Sequence, residues 1–256
     1  MPATKYCVSI AGLDPSGGAG ILSDVKTFEA LGVQGFGIST ATTYQNEHTF
    51  SGLTWLGFAE IVKQLDPLFD AHEIGHVKIG LIESWEVLKM TLAYLKEKNP
   101  EICIVWDPIL ASSSGFTFHS DSFIEPDLDI FNTIDLFTPN IIEMEKLFPQ
   151  VRGGETGIEL SMYCSVLLKG GHGQSEHAND ILFHNRDTSV IHGARLPYDK
   201  HGTGCVLSAA IVAHLAKGNN VEDSCNRAKN YVNTFLNSNT SLLGSHSPQK
   251  NEKAYS

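Results

Sequence analysis

An α/β domain with a central, mainly parallel sheet is the fold class this sequence predicts, on two observations. Short apolar runs alternate with longer amphipathic ones along most of the chain, the order of strand and helix in βα units. The run Ile102–Trp106 is nearly all apolar, as expected of a parallel strand covered on both faces.

The elements follow in order. Tyr6–Ala11 reads as a first strand and Gly12–Gly20 as a glycine-rich loop. Ile21, Val25, Phe28 and Leu31 then share one face of a helix that Gly32 stops. Gln34–Tyr44, rich in small and β-branched residues, is a second strand. Trp55–Phe69 is helix-like, Val77–Ile82 a strand, and Ser84 caps a helix running to about Asn99. Ile134–Thr138 and Val166–Lys169 are further strands, with a helix from Ile141 to about Phe148 between them. Asp180–Phe183 and Ser189–His192 flank "HNRD", the turn of a hairpin. Gly204–Lys217 and Val221–Leu236 are the last helices. No linker or internal repeat breaks the pattern. A single domain over residues 1–240 is expected, with a flexible Ser/Asn/Lys/Gly-rich tail over 241–256.

Composition narrows the function. The chain has 256 residues, 42% hydrophobic and 18% charged, an ordinary folded composition. A formal net charge of -11 argues against a nucleic-acid partner. It leaves room for a phosphorylated small ligand held by backbone N–H groups. Five scattered cysteines (Cys7, Cys103, Cys164, Cys205, Cys225) fit reduced thiols better than a disulfide framework or a zinc site. No run approaches the roughly eighteen apolar residues of a membrane span. A cytoplasmic protein without a membrane partner is expected.

In open α/β sheets, ligands bind outside the carboxyl ends of the strands. The polar residues fall there: Asp14 after the first strand, Gln45 after the second, Gly80 near the end of the third, then Asp107, Asn140 and Lys169. The sharpest local signal is "HGTGC", His201–Cys205, opening an alanine-rich helix. Gly202 and Gly204 permit tight turns, and first-turn N–H groups gather an anion. Cys205 in that positive field has its thiol pKa lowered and can accept a proton. The same residues also read as a simple helix cap with a small buried cysteine.

"DPSGGAG" is either a close backbone approach to a ligand or only a tight turn. It matches neither a dinucleotide fingerprint nor a Walker loop. Asp24 either accepts hydrogen bonds from an amino-substituted ring or merely suits a helix N-terminus, and Gln45 offers a donor and an acceptor from one amide. Asp107 and Glu143 are candidate Mg²⁺ ligands, Glu143 equally a solvated surface residue. Lys169 suits a transferring phosphoryl group. The eleven histidines form no metal signature.

Taken together, the segments "AGLDPSGGAGILSDVKTFEALGVQG", "TTYQN", "VKIGLI", "DPILASSSG", "TPNIIEMEKL", "LLKGGH" and "HGTGC" resemble the hydroxymethylpyrimidine/phosphomethylpyrimidine kinases of thiamine biosynthesis, in the ribokinase-like superfamily. They stand in the family's order from about Val8 to Lys217. The resemblance implies a three-layer ribokinase-like fold. It implies ATP and Mg²⁺ as cofactors, an aminopyrimidine alcohol and its monophosphate as substrates, and a homodimer. Asp24 and Gln45 match the residues that recognise the ring, with Gly12, Thr43, Ile79 and Gly80 near it. Lys169 and Asn140 match positions beside the ATP phosphates, and Asp107 and Glu143 the acidic positions around Mg²⁺. Gly202, Thr203, Gly204 and Cys205 match the anion hole and catalytic base. Pyridoxal or pyridoxine kinase is the nearest alternative, and a non-catalytic pyrimidine- or nucleotide-binding protein the next. The chain departs from the family at Leu13, where Ser or Thr is usual, at "GLIE" for "GMLA", at "ASSSG", which lacks the lysine of "AKSG", and in a short stretch between Asn140 and Lys169.

Overall fold

A computed structural model describes residues 4–112, 115–118, 128–150, 153–170 and 177–247. Among them run β1 (Tyr6–Leu13), α1 (Gly20–Ala30), β2 (Gln34–Gln45), β3 (Phe50–Trp55), α2 (Phe58–Ala71), β4 (His76–Ile79), α3 (Trp85–Lys98) and β5 (Cys103–Trp106). A 3-10 turn (Leu128–Asn132) leads to β6 (Leu136–Phe137), α4 (Ile141–Leu147), α5 (Gly153–Leu160) and β7 (Ser165–Leu168). The hairpin β8 (Asp180–His184) and β9 (Asp187–Ile191) precedes α6 (Thr203–Ala216) and α7 (Val221–Leu236).

The strands form one sheet in the order β3-β2-β1-β4-β5-β6-β7-β8-β9. The six from β2 to β7 in that order are mutually parallel; at the edges β3 is antiparallel to β2, β8 antiparallel to β7, and β9 antiparallel to β8. Successive side chains point to opposite faces of a strand, so each central strand feeds both layers. Ile104 and Trp106 join the core under α2, α3 and α4, while Val105 between them joins the core under α1, α6 and α7. Val166, Leu167 and Leu168 divide in the same way. This double burial makes those strands read as unbroken apolar runs, and the result is three layers.

Local chemistry sets several boundaries. Ser84 accepts the Val87 N–H at the start of α3. Asn140 and Glu143 form a reciprocal capping box at the start of α4. The "HNRD" turn has Asn185 at φ 52° and Arg186 at φ 66°, the paired left-handed geometry of a two-residue hairpin.

Two elements were not foreseen. β3 was not anticipated, and Trp55 ends that strand instead of opening a helix; it pairs with Ala41. "FSGLTW" carries a glycine and lies half-exposed at an edge, so it has neither strong alternation nor an apolar run. α5 is built from "GGETGIEL", whose glycines oppose helix; a Cβ at Gly157 would lie 2.4 Å from the Phe183 ring, so tight packing on the sheet requires that glycine. Residues 241–247, expected within a flexible tail, make defined contacts with the domain. The Leu242 carbonyl accepts the His201 N–H at 2.9 Å, and His246 Nδ1 lies 3.1 Å from the Tyr231 hydroxyl. Residues 248–256 lie outside the described residues.

Candidate active site

A cavity of about 860 Å³ opens along the carboxyl ends of the parallel strands. Gly12 and Asp14 reach it from β1, Thr43 and Gln45 from β2, and Leu81 from the turn after β4. Asp107 follows β5, Asn140 and Glu143 follow β6, and Lys169 follows β7; all four line the same space. Gly202, Thr203, Gly204 and Cys205 close it at the start of α6. Eleven of the residues expected at the site therefore share one wall system. Asp24, Ile79 and Gly80 do not.

Two glycine loops meet at one corner. Gly202 caps α6 at φ 76°, and a Cβ there would lie 2.1 Å from the Gly18 carbonyl oxygen. Only glycine permits both that backbone and that approach. Asp14 joins the loops: its carboxylate accepts the Ser16 and Ala19 N–H groups at 2.9 Å each and contacts His201 Nε2 at 2.9 Å. Burial works against the Asp14 charge, but the His201 and Ser16 hydrogen bonds outweigh it and hold the carboxyl below its usual range. The C-terminal segment braces the same corner, for Lys200 Nζ donates to the Asn239 and Ser241 carbonyls and to Asn239 Oδ1.

The first-turn N–H groups of α6 have no intrahelical acceptor and sit at the positive end of a 14-residue helix. Gly204 leaves this cradle open: the nearest atom to a Cβ built there is Lys169 Nζ, at 3.6 Å. Lys169 Nζ donates to Asp107 Oδ1 at 2.6 Å and lies 3.7 Å from Glu143 Oε2. Burial alone would lower this ammonium's pKa; Asp107 and Glu143 reverse that and keep it charged. Burial pushes the Glu143 carboxyl up to about 7 against the pull of Lys169. Asp107 Oδ2 accepts from Ser208 on α6, so Asp107 also ties the helix to the sheet.

Cys205 is 6% exposed and lines the cavity. The lowered thiol pKa expected from its helix start is not found. Burial pushes it up to about 11; Lys78 and the Gly20 N–H pull it down, and Asp24 and Asp107 push it up. Removing a thiolate from water outweighs the partial charge of the helix end.

Asp24 is fully buried behind the wall. Lys78 Nζ donates to both of its oxygens at 2.7 Å, and Ser9 Oγ donates to Oδ2 at 2.5 Å. Its carboxylate is thus engaged by the protein in an internal ion pair, and Asp24 stands outside the cavity lining. Ile79 is likewise fully buried, in the apolar core, and the Gly80 N–H is taken by the Ile10 carbonyl. Leu81, next along, provides the wall on that side. Lys78 escaped sequence reading because a lysine in "VKIGLI" looks like the polar position of a strand. The buried Asp180–Lys229 pair at 2.7 Å, also on the cavity wall, was missed because its members lie 49 residues apart.

Among the described residues no cluster of three or more His, Cys, Asp or Glu stands ready for a metal ion. Two carboxylates with nucleotide phosphates are nevertheless a donor set that Mg²⁺ accepts, and Asp107 and Glu143 offer that pair.

A family model described as phosphomethylpyrimidine kinase matches residues 14–250. The chain belongs to the phosphomethylpyrimidine kinase family. A hydroxymethylpyrimidine/phosphomethylpyrimidine kinase of Rhizobium meliloti is 32% identical over 254 residues, 91% of each chain. The crystal structure of a phosphomethylpyrimidine kinase from Clostridium difficile superposes with a TM-score of 0.74 at 31% identity, covering 90% of this chain and 98% of that one. The three layers are thus the ribokinase-like fold, and the protein is a kinase of that superfamily. A rice protein named a probable thiamine biosynthetic bifunctional enzyme is 31% identical over 255 residues, but this chain spans only 46% of its length. No helix among the described residues is long and apolar enough to cross a membrane.

Proposed function

We propose that this kinase transfers the γ-phosphoryl group of ATP to the hydroxymethyl oxygen of 4-amino-5-hydroxymethyl-2-methylpyrimidine, and then phosphorylates the monophosphate, in thiamine diphosphate biosynthesis. The observation that carries the reading is the convergence on one open cradle: Lys169 Nζ lies 3.6 Å from the Cβ position of Gly204, with Cys205 next in the chain. Family membership supports the pyrimidine.

The geometry supports the following roles. Gln45 Nε2 donates to Thr43 Oγ1 at 2.9 Å, and Thr43 Oγ1 donates to the Leu13 carbonyl at 2.9 Å. That chain orients the Gln45 amide and leaves its carbonyl oxygen as an acceptor for the exocyclic amine. Gly12 and Leu81 bound the ring. The α6 amides and Lys169 face the phosphoryl oxygens and stabilise the charge that builds on them. Cys205, as thiolate, accepts the hydroxyl proton while the substrate oxygen bonds to phosphorus and the electron pair of the broken P–O bond leaves with ADP. Asp107 and Glu143, with Asn140 beside them, would hold Mg²⁺ directly or through water, and the ion supplies charge neutralisation on the phosphates. A cytoplasmic homodimer is part of the same proposal, checked by light scattering against the 27.9 kDa chain mass.

A coupled ADP-release assay with hydroxymethylpyrimidine, its monophosphate and pyridoxal tests the reading. Turnover with both pyrimidines is expected. Saturation by pyridoxal at lower concentration would make this a pyridoxal kinase, and no ADP above background with any acceptor would make it a binding protein.

A further inference from the structure

Two helices, α1 and α6, begin at one corner of the cavity. At α1 the protein's own carboxylate takes the place of an anion. Asp14 Oδ2 accepts the N–H of Ala19, the residue that caps the helix, and Asp14 Oδ1 accepts the N–H of Ser16, both at 2.9 Å. The Ser16 hydroxyl donates to Asp14 Oδ2 at 2.9 Å. One further donor comes from the other loop, for His201 Nε2 lies 2.9 Å from Asp14 Oδ2. An ionised carboxylate only accepts, so His201 Nε2 carries a proton and donates it. His201 Nδ1 is buried and meets no partner among the described residues. The bond to Asp14 is therefore what orients the ring. Both residues are buried, Asp14 at 1% and His201 at 8% exposure. The ring packs on Gly18, where a Cβ would come within 2.7 Å of His201 Cδ2 and of Leu243 Cδ2.

His201 stands directly before Gly202, whose left-handed φ of 76° turns the chain into α6. A glycine turn has little stiffness of its own. The His201 side chain holds it through Asp14, and the His201 N–H, given to the Leu242 carbonyl at 2.9 Å, holds it from the C-terminal segment. An apolar contact could also keep the two loops together. A directional hydrogen bond in addition fixes the angle between them.

We propose that His201 is a positioning residue for the nucleotide phosphates: its Nε2–H bond to Asp14 locks the "DPSGGAG" loop to the "HGTGC" loop and so aims the first-turn amides of α6 at one point. The inference rests on the reading of that helix start as the phosphate cradle. It gives Asp14 the matching role of acceptor on the opposite loop. Preorganised donors lose their value when they drift, and a misplacement of about 1 Å can cost about 100-fold in rate. The loss falls on the nucleotide and spares the ring, which binds at the Gln45 and Thr43 end of the cavity.

The test reads the two ligands separately. Binding of MgADP and of hydroxymethylpyrimidine is measured by isothermal titration calorimetry in wild type, His201→Ala, His201→Gln, Asp14→Asn and the double variant Asp14→Asn/His201→Ala. His201→Ala should weaken MgADP about tenfold, the scale of one hydrogen bond to a charged group, with pyrimidine affinity unchanged. His201→Gln, whose Nε2 can donate to the same carboxylate oxygen, should recover most of that loss. The double variant should bind MgADP no more weakly than Asp14→Asn alone, because the shared bond is lost only once. Unchanged MgADP affinity in His201→Ala, an equal loss for the ring, no recovery by glutamine or additive losses in the double variant would each overturn the proposal. If His201→Ala does not fold, the wild-type protein decides. The nitrogen-15 NMR signals of the His201 ring should move when MgADP binds and stay in place with the pyrimidine, and signals indifferent to MgADP would overturn the proposal. A wild-type protein that binds MgADP but phosphorylates no ring would remove the proposed substrate and leave the His201 effect standing. One that binds no nucleotide would remove the cradle and the positioning role with it.

Discussion

Lys169 meets Asp107 at 2.6 Å in a buried ion pair that joins the ends of β7 and β5 across β6. The pair fixes the ammonium beside the α6 amides before any phosphate arrives, so its charge needs little reorganisation during transfer. Replacing Lys169 by Met should therefore lower kcat by about two to three orders of magnitude, the scale of losing a donor to developing charge. The pyrimidine KM should change little, because Lys169 stands at the phosphate end of the cavity. Steady-state kinetics with varied pyrimidine separates the two parameters, and a change confined to KM would refute the assignment.

The high thiol pKa of Cys205 makes a second outcome specific. With the group pushed up to about 11, the thiolate is a minor species at neutral pH and grows about tenfold per pH unit. Thus kcat/KM should climb with a log slope near one between about pH 7 and 9.5. Cys205→Ala should abolish the slope and cost about 100- to 10,000-fold in rate. A flat profile in wild type would exclude this thiol as the base.

Gly202 and Gly204 separate architecture from chemistry. A Cβ at Gly202 meets the Gly18 carbonyl at 2.1 Å on a left-handed backbone, so Gly202→Ala should lower the melting temperature by several degrees and disable the site. A Cβ at Gly204 meets only Lys169 Nζ at 3.6 Å. Gly204→Ala should melt close to wild type and still lose turnover, because the methyl group enters the phosphate cradle. Thermal melts and ADP release on both proteins check the pair.

The C-terminal segment should matter to catalysis as well as stability. Lys200 is 7% exposed and its ammonium donates to Asn239 and Ser241, next to the His201 N–H bond to Leu242. Lys200→Met is expected to cost about 1.5–3 kcal/mol, the range for hydrogen bonds to a charged group. It should lower kcat through the loosened "HGTGC" loop. Chemical denaturation and steady-state kinetics measure the two effects.

Much of the fold was legible because its core strands are buried on both faces. Runs such as Ile104-Val105-Trp106 leave no other reading, and Ser84 and Gly202 mark helix starts with chemistry that a sequence displays. The edge strand β3 and the glycine-rich α5 stayed hidden because tertiary contact, through Trp55 opposite Ala41 and Gly157 against Phe183, overrides their weak local preference. At the site, residues at strand ends were legible by position. What sequence could not give was direction. Asp24 points inward to Lys78, 54 residues away, and Leu81, one residue beyond the expected Gly80, forms the cavity wall. The same limit explains Cys205: a helix start is visible in "HGTGC", whereas the burial that dominates its titration depends on α1 and β4 packed around it.

The most direct test of the account is a ³¹P NMR spectrum of the wild-type protein with MgATP and hydroxymethylpyrimidine. The account predicts a new phosphomonoester resonance that grows as the γ-phosphate signal of ATP falls, followed by a diphosphate ester. ATP left intact, or inorganic phosphate as the sole product, would contradict it.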